Sequence, residues 1–117
     1  MTFVDIAIYA VPTENKEAFK AHSELVAPLF KKHGALAAMD CWGAVIPEGD
    51  VTSLPLAVKC AENETVAYSH LIWPSKEARD EGMEKAMAEM QTVVGPNGMP
   101  FDGSRLIFGG FEPLVSL

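Results

Sequence analysis

The order of the periodic segments constrains this chain more than any other feature: strand, helix, strand, a stretch open to two readings, then strand, helix and strand again. Phe3 to Val11 is rich in β-branched and aromatic residues, is interrupted only by Asp5, and stops at Pro12, which reads as a first strand. Thr13 stands where an N-cap belongs, before Ala18, Phe19, His22, Leu25, Val26, Leu29 and Phe30, which recur at helical spacing until Gly34 in the C′ position. Pro28 removes one backbone bond within that helix and is expected to bend its last turn around the sheet. Leu36 to Val45 reads as a second strand, closed by the turn "PEGD". "TSLPLAVKC" fits either a short helix capped by Thr52 or an edge strand with Leu54, Leu56 and Val58 on one side. Thr65 to Trp73 is a third strand, and Ser75 caps a second helix with Ala78, Met83, Ala86, Met87 and Met90 in one stripe. "GPNGMPFDG" is a loop, and Arg105 to Phe111 the last strand.

Two β-α-β halves in this order predict an α+β, ferredoxin-like split βαβ fold over residues 1–117 as a single domain. Both helices then lie on one face of a four-stranded antiparallel sheet. The other face carries aromatic groups too large to leave wet, and its simplest cover is a second copy, giving a dimeric α+β barrel and a homodimer.

The composition removes several function classes. Sixteen acidic against nine basic side chains give a net charge of −7, with the cations scattered, which disfavours nucleic acid. No apolar run reaches the roughly 18–20 residues of a membrane span, and the first residues carry no basic region or cleavage site. Cys41 and Cys60 are outside any CxxC pattern and read as reduced, so a cytoplasmic location is expected. His22 and His33 stand eleven residues apart, not the four that put two ligands on one helix face, so neither a metal nor another cofactor is expected.

"DCWGAVIPEGDVT", "YSHLIWPSKEARD" and above all "MPFDGSRLIFGGFE" resemble the small bacterial DUF1428 family through nearly the whole chain. The resemblance implies a fold similar to the dimeric α+β barrel group, in which two ferredoxin-like sheets pack face to face, and it implies no activity. The chain departs from the family's usual pattern at "SHLIW", where an aromatic residue commonly stands at the place of His70.

Strand alternation then suggests which side chains share the space between sheets. On the first strand, Val4, Ile6 and Ile8 are wholly apolar and are assigned to the helices, which turns Phe3, Asp5, Ala7, Tyr9 and Val11 inward. The same parity turns Asp40 and Trp42 inward with Leu36, Ala38 and Ala44, puts Cys41 towards the helices, and adds Tyr68, His70 and Arg105 from the last two strands. Asp5, Tyr9, Asp40, Trp42, Tyr68, His70 and Arg105 are therefore the expected ligand-binding group. Carboxylates facing apolar walls would have raised pKa values unless Arg105 or a hydroxyl compensates them. The structural alternative is an Asp40–Arg105 ion pair at the rim, with the aromatic rings filling a dimer core. Gly109 and Gly110 interrupt an apolar strand. Gly109 would leave room in the pocket while Gly110 allows a bulge or a close approach to a helix, and "MPFDG" would close as a flap.

Two functional readings follow. In one, the chain is a cofactor-independent oxidoreductase or isomerase for a small apolar or aromatic substrate, with Asp40 or His70 as base, Arg105 for the oxyanion, and Trp42 with Tyr9 holding the ring. In the other, it is a dimeric ligand-binding or stress-related module without chemistry. A fully packed dimer interior would support neither.

Overall fold

The computed structural model describes residues 1–95 and 98–117; Pro96 and Asn97, within the expected "GPNGMPFDG" loop, lie outside the described residues. Strand β1 (Phe3–Pro12) pairs antiparallel with β3 (Glu64–Trp73) along its whole length and with β4 (Ile107–Phe111) at its other edge. Strand β2 (Ala37–Trp42) pairs with β3, so the sheet order is β2-β3-β1-β4. Helix α1 (Lys16–Lys32) connects β1 to β2, and α3 (Lys76–Val94) follows β3. Both pack on one face, where Phe3, Trp73 and Ala35 bury against Phe30 and Met83, and Val11 and Ala67 against Phe19. This is the ferredoxin-like α+β fold that the segment order predicts.

Local chemistry explains the boundaries. Gly34, at φ +112°, turns the chain out of α1 with Ala35 N–H on the Phe30 carbonyl (2.9 Å) and Gly34 N–H on that of Lys31 (3.3 Å), an end available to few residues but glycine. Thr13 does not cap α1: its hydroxyl meets that of Thr65 at 2.7 Å, a 3₁₀ turn (Thr13–Asn15) intervenes, and Asn15 precedes the helix with its amide donating to the Pro100 carbonyl (3.0 Å). The open stretch is a short helix, α2 (Leu54–Ala57), capped by Ser53 rather than Thr52, the Ser53 hydroxyl accepting from Leu56 N–H at 3.1 Å. Ser75 caps α3 as read, accepting from Ala78 N–H at 3.0 Å. On α3 the buried positions are Gly82 and Ala86, while Met87 is largely outside. Strand β2 ends before Gly43, and β4 starts after a 3₁₀ turn (Gly103–Arg105), so Arg105 is not on a strand.

The two faces of the sheet are the reverse of what strand parity assigns. Residues paired across a sheet share a face, so Phe3, Asp5, Ala7, Tyr9 and Val11 stand with Trp73, Leu71, Ser69, Ala67 and Thr65 under the helices. Ala38, Asp40 and Trp42 share that face. Val4, Ile6, Ile8 and Ala10 stand on the opposite face with Ile72, His70, Tyr68 and Val66, and Cys41 is there too. The apolar row is not the helix-facing row because the opposite face is also a packing surface: Ile8, Ala10 and Val66 are buried with Val58 of the β2–β3 connection, beside Ile46. The polar intruder Asp5 tolerates the helix side because its oxygens are satisfied there.

Candidate functional site

Helix α1 crosses the sheet beside β2 and leaves an open cleft of about 600 Å³ between them, lined by Lys16, Phe19, Lys20, Ser23, Asp40 and Trp42, with Glu17 and Glu24 on its outer side. Phe19 is the hinge between this cleft and the core. Its ring tilts against Trp42 at 6.0 Å between centroids, and against Tyr9 edge-on at 5.4 Å. Phe101 enters from the loop before β4 and touches Tyr9 (4.8 Å), Phe19 (6.0 Å) and His22 (5.8 Å). Such edge-to-face clusters fix ring positions and present an aromatic wall.

A polar line crosses this wall. Asp40 lies directly across from Ser69 in the β2–β3 register, and the Ser69 hydroxyl shares a 2.8 Å hydrogen bond with that of Tyr9. Asp40 reaches solvent through the cleft, yet the surrounding protein raises its carboxyl above the ordinary range, against the opposing influence of the Ser23 hydroxyl and of His70. Burial raises the Tyr9 phenol as well, and the nearby Asp40 charge adds to the rise. Burial lowers His22. A carboxyl that holds its proton to higher pH, in a cleft walled by aromatic rings, is a competent proton donor or acceptor.

The seven residues expected to converge are thus divided. Tyr9, Asp40 and Trp42 do gather, but between the sheet and the helices rather than between two sheets. Asp5 lies on the same face under α3, with the Arg79 Nε at 3.0 Å, the Arg79 Nη2 at 3.0 Å and the Trp73 Nε1 at 3.0 Å all donating to it. Tyr68 and His70 are on the opposite face, their side chains in contact at 3.2 Å. Arg105 makes no pair with Asp40. Its guanidinium donates to both Glu64 oxygens at 2.7 Å, to Asp102 at 3.0 Å and to the Lys59 carbonyl at 2.9 Å, tying the starts of β3 and β4 to the end of α2. Gly110 is on the helix side, where a Cβ would stand 2.7 Å from the Phe3 ring and 3.3 Å from an Asp5 oxygen, so the close approach is to a side chain of the neighbouring strand. The β1–β4 register runs from Val4–Phe111 to Ile8–Ile107 in step, so the pair does not make a bulge. "MPFDG" packs Phe101 into the aromatic wall, and Asp102 caps the following turn.

Sequence reasoning missed Lys16, Lys20, Ser23, Ser69 and Phe101. Lys16, Lys20 and Ser23 carry a signal, since their spacing of four and three places them on one row of α1. Ser69 and Phe101 carry none without the register and the loop path. Among the described residues no group of three His, Cys, Asp or Glu side chains is placed to hold a metal, and no helix is long and apolar enough to cross a membrane.

Comparison with known proteins places the chain. The family described as "Protein of unknown function (DUF1428)" matches residues 2–103. The uncharacterized protein YbaA of Escherichia coli strain K12 is 43% identical over 115 residues, 98% of each chain. Two solved structures share the fold at low identity. SnoaB, a cofactor-independent oxygenase from Streptomyces nogalater, matches with a TM-score of 0.56 at 14% identity over 99% of this chain and 96% of that one. A dimeric ferredoxin-like protein from an uncultured marine organism matches with a TM-score of 0.58 at 10% identity over 99% of this chain and 98% of that one. A family match over most of the length, together with the YbaA identity, shows that this chain belongs to the DUF1428 family.

Proposed function

We propose that the chain binds a small planar, aromatic or apolar molecule in the cleft between α1 and β2, and that Asp40 exchanges a proton with it in a cofactor-independent reaction. The carrying observation is the cleft itself, in which the exposed Asp40 carboxyl stands beside Trp42 and Phe19; partial desolvation there raises the carboxyl. A ring laid on Trp42 would bring an acidic C–H or O–H near Asp40, and loss of that proton to the carboxylate, with its return at another position, isomerises the ligand without any further reactant. Ser23 is placed to steady the carboxyl. The likeness to a cofactor-independent oxygenase supports this reading at the level of fold alone.

The second copy belongs on the opposite face. Met39, Ile107 and Phe111 are exposed there beside His70, Tyr68 and Ile6, an apolar surface of the kind that a two-fold partner covers. The likeness to a dimeric ferredoxin-like protein supports the same assembly. A homodimer so formed leaves both helix-side clefts open. This arrangement moves the ligand site away from the space between sheets while keeping the barrel.

The test uses 2-naphthol as probe, its binding followed by isothermal titration calorimetry. Saturable heat with a Kd below about 1 mM, weakened about ten-fold by Trp42→Ala or Phe19→Ala in variants whose circular dichroism matches wild type, is the expected result. Asp40→Asn should retain binding and abolish exchange of ring protons into deuterated water, read by NMR. Binding unaffected by substitution of Trp42 and Phe19 would refute the cleft, and exchange that survives Asp40→Asn would remove Asp40 as the proton-exchanging group.

A further inference from the structure

Three observations on α1 concern the charge of what enters the cleft. At about 100° per residue, Lys16, Lys20, Ser23 and Ala27 form one row along the helix, with Phe19 on its core side. Glu17 and Glu24 project about a quarter-turn away, on the solvent side. The ammonium groups therefore overhang the floor of the cleft, and the carboxylates stand at its outer lip.

The lysines are also left without carboxylates. Lys32, Lys76 and Lys85 each pair with Glu89, Asp80 or Glu81 at 2.8–3.0 Å, whereas Lys31 donates to the Leu36 carbonyl and, with Lys59, makes no ion pair among the described residues. Glu17 and Glu24 stand three residues before and four after Lys20, spacings at which helix ion pairs form, yet among the described residues neither Lys16 nor Lys20 makes one. Lys16 instead lies over the Trp42 ring, with Nζ 5.9 Å from its centroid. Two like charges four apart on a helix repel, and Lys16 adds a cation at the first turn, where the helix dipole already disfavours one. A bound anion would relieve both costs.

Asp40 lies across the cleft from this helix row, on β2. A ligand spanning the cleft would meet ammonium groups at one end, Trp42 and Phe19 along its length, and a proton-exchanging carboxyl at the other.

We infer that the cleft selects an aromatic ring bearing an anionic oxygen group, carboxylate or phosphate, held by Lys16 and Lys20 while the ring lies on Trp42. This rests on the cleft assigned above, and it names the class of molecule that the cleft takes. The experiment measures calorimetric affinities of 2-naphthoate, 2-naphthyl phosphate and neutral 2-naphthamide for the wild-type protein and for the Lys16→Gln/Lys20→Gln variant. Both lysines are exposed, so the variant is expected to fold, and its circular dichroism checks this. One or both anions should bind about ten-fold more tightly than the amide, with a preference that falls below about three-fold in the variant. Whichever anion shows the preference identifies the head group. Equal affinity for all three, or a preference that survives loss of both lysines, overturns the inference and leaves the cleft in place. Failure of all three to bind removes the cleft reading and this inference with it.

Discussion

Removing Arg79 separates a structural carboxylate from a functional one. Asp5 is 8% exposed, and Arg79 reaches it by three hydrogen bonds of 3.0–3.3 Å while Trp73, fully buried, donates a fourth. Arg79→Met keeps the apolar stem over the Phe3 ring, now 5.8 Å from the guanidinium carbon, and leaves the carboxylate with the indole alone. Stranding one member of a buried pair costs about 3–5 kcal/mol. Here the Arg79 side chain retains 28% exposure, so water can approach the vacated side, and the Trp73 bond persists; about 2–3 kcal/mol remains. For 117 residues, about 1 kcal/mol corresponds to about 4 °C, which predicts a fall in Tm of about 8–12 °C by calorimetry at pH 7. Asp5→Asn should cost only about 1–2 kcal/mol, because its amide oxygen still accepts from Trp73 and the freed guanidinium already touches Asp80 at 3.2 Å and can turn to water. Adding Asp5→Asn to Arg79→Met should therefore restore part of the loss. A Tm change under about 2 °C for Arg79→Met, or a double variant less stable than that single one, would refute the assignment of Asp5 to the frame of the fold.

Other perturbations have definite signs. Asp40 has a folded-state pKa raised by partial desolvation in the cleft, so its protonated form is favoured below the unfolded value and that contribution is lost as pH rises through the folded value; Asp40→Asn should be slightly more stable than wild type at pH 7 and indistinguishable below about pH 4 in urea titrations. Glu64 behaves oppositely: hydrogen bonds from the Arg105 guanidinium hold its carboxyl below the ordinary range, stabilising the fold above the unfolded pKa, so Arg105→Ala should lower Tm at pH 7 and progressively less towards pH 3. Gly110→Ala places a methyl group 2.7 Å from the Phe3 ring and should cost about 1–3 kcal/mol, whereas Gly109→Ala meets only the Phe111 ring at 3.3 Å and should stay within about 1 kcal/mol. Equal Tm values for the two alanine variants would refute the close packing assigned to Gly110.

The order of elements was legible because each carries its own local signal. The β-branched first strand, the Ser75 cap and the glycine ending α1 are decided within a few residues, and all three stand where the sequence puts them. The faces were not legible. Alternation shows which residues share a side, but not which side meets the helices, and the rule that the apolar row faces the helices fails when both faces are packed. Asp5 is the decisive case: it looks costly under a helix until Arg79, 74 residues away, and Trp73 are known to reach it. Arg105 was misread for a related reason. Counting it into the final strand gave it a face, whereas the turn capped by Asp102 swings it towards Glu64.

The inverted faces also bear on how the fold can hold a site. A cleft between two sheets would be formed by two copies and would be lost with the dimer. A cleft between α1 and β2 is complete within one copy, because Asp40, Trp42, Phe19 and Ser23 all come from adjoining elements of the same chain. Its shape then depends on the angle of α1 to the sheet, which Phe19 and Phe101 set by packing against Tyr9. Phe101 arrives from the other end of the chain, held by the Asn15 bond to Pro100 and by the Asp102 turn that leads to Arg105. The Arg105 clamp is thus connected to the aromatic wall through a single short loop. Arg105 therefore acts as the anchor of the loop that carries Phe101, through Glu64, Asp102 and the Lys59 carbonyl, and not as a partner of Asp40.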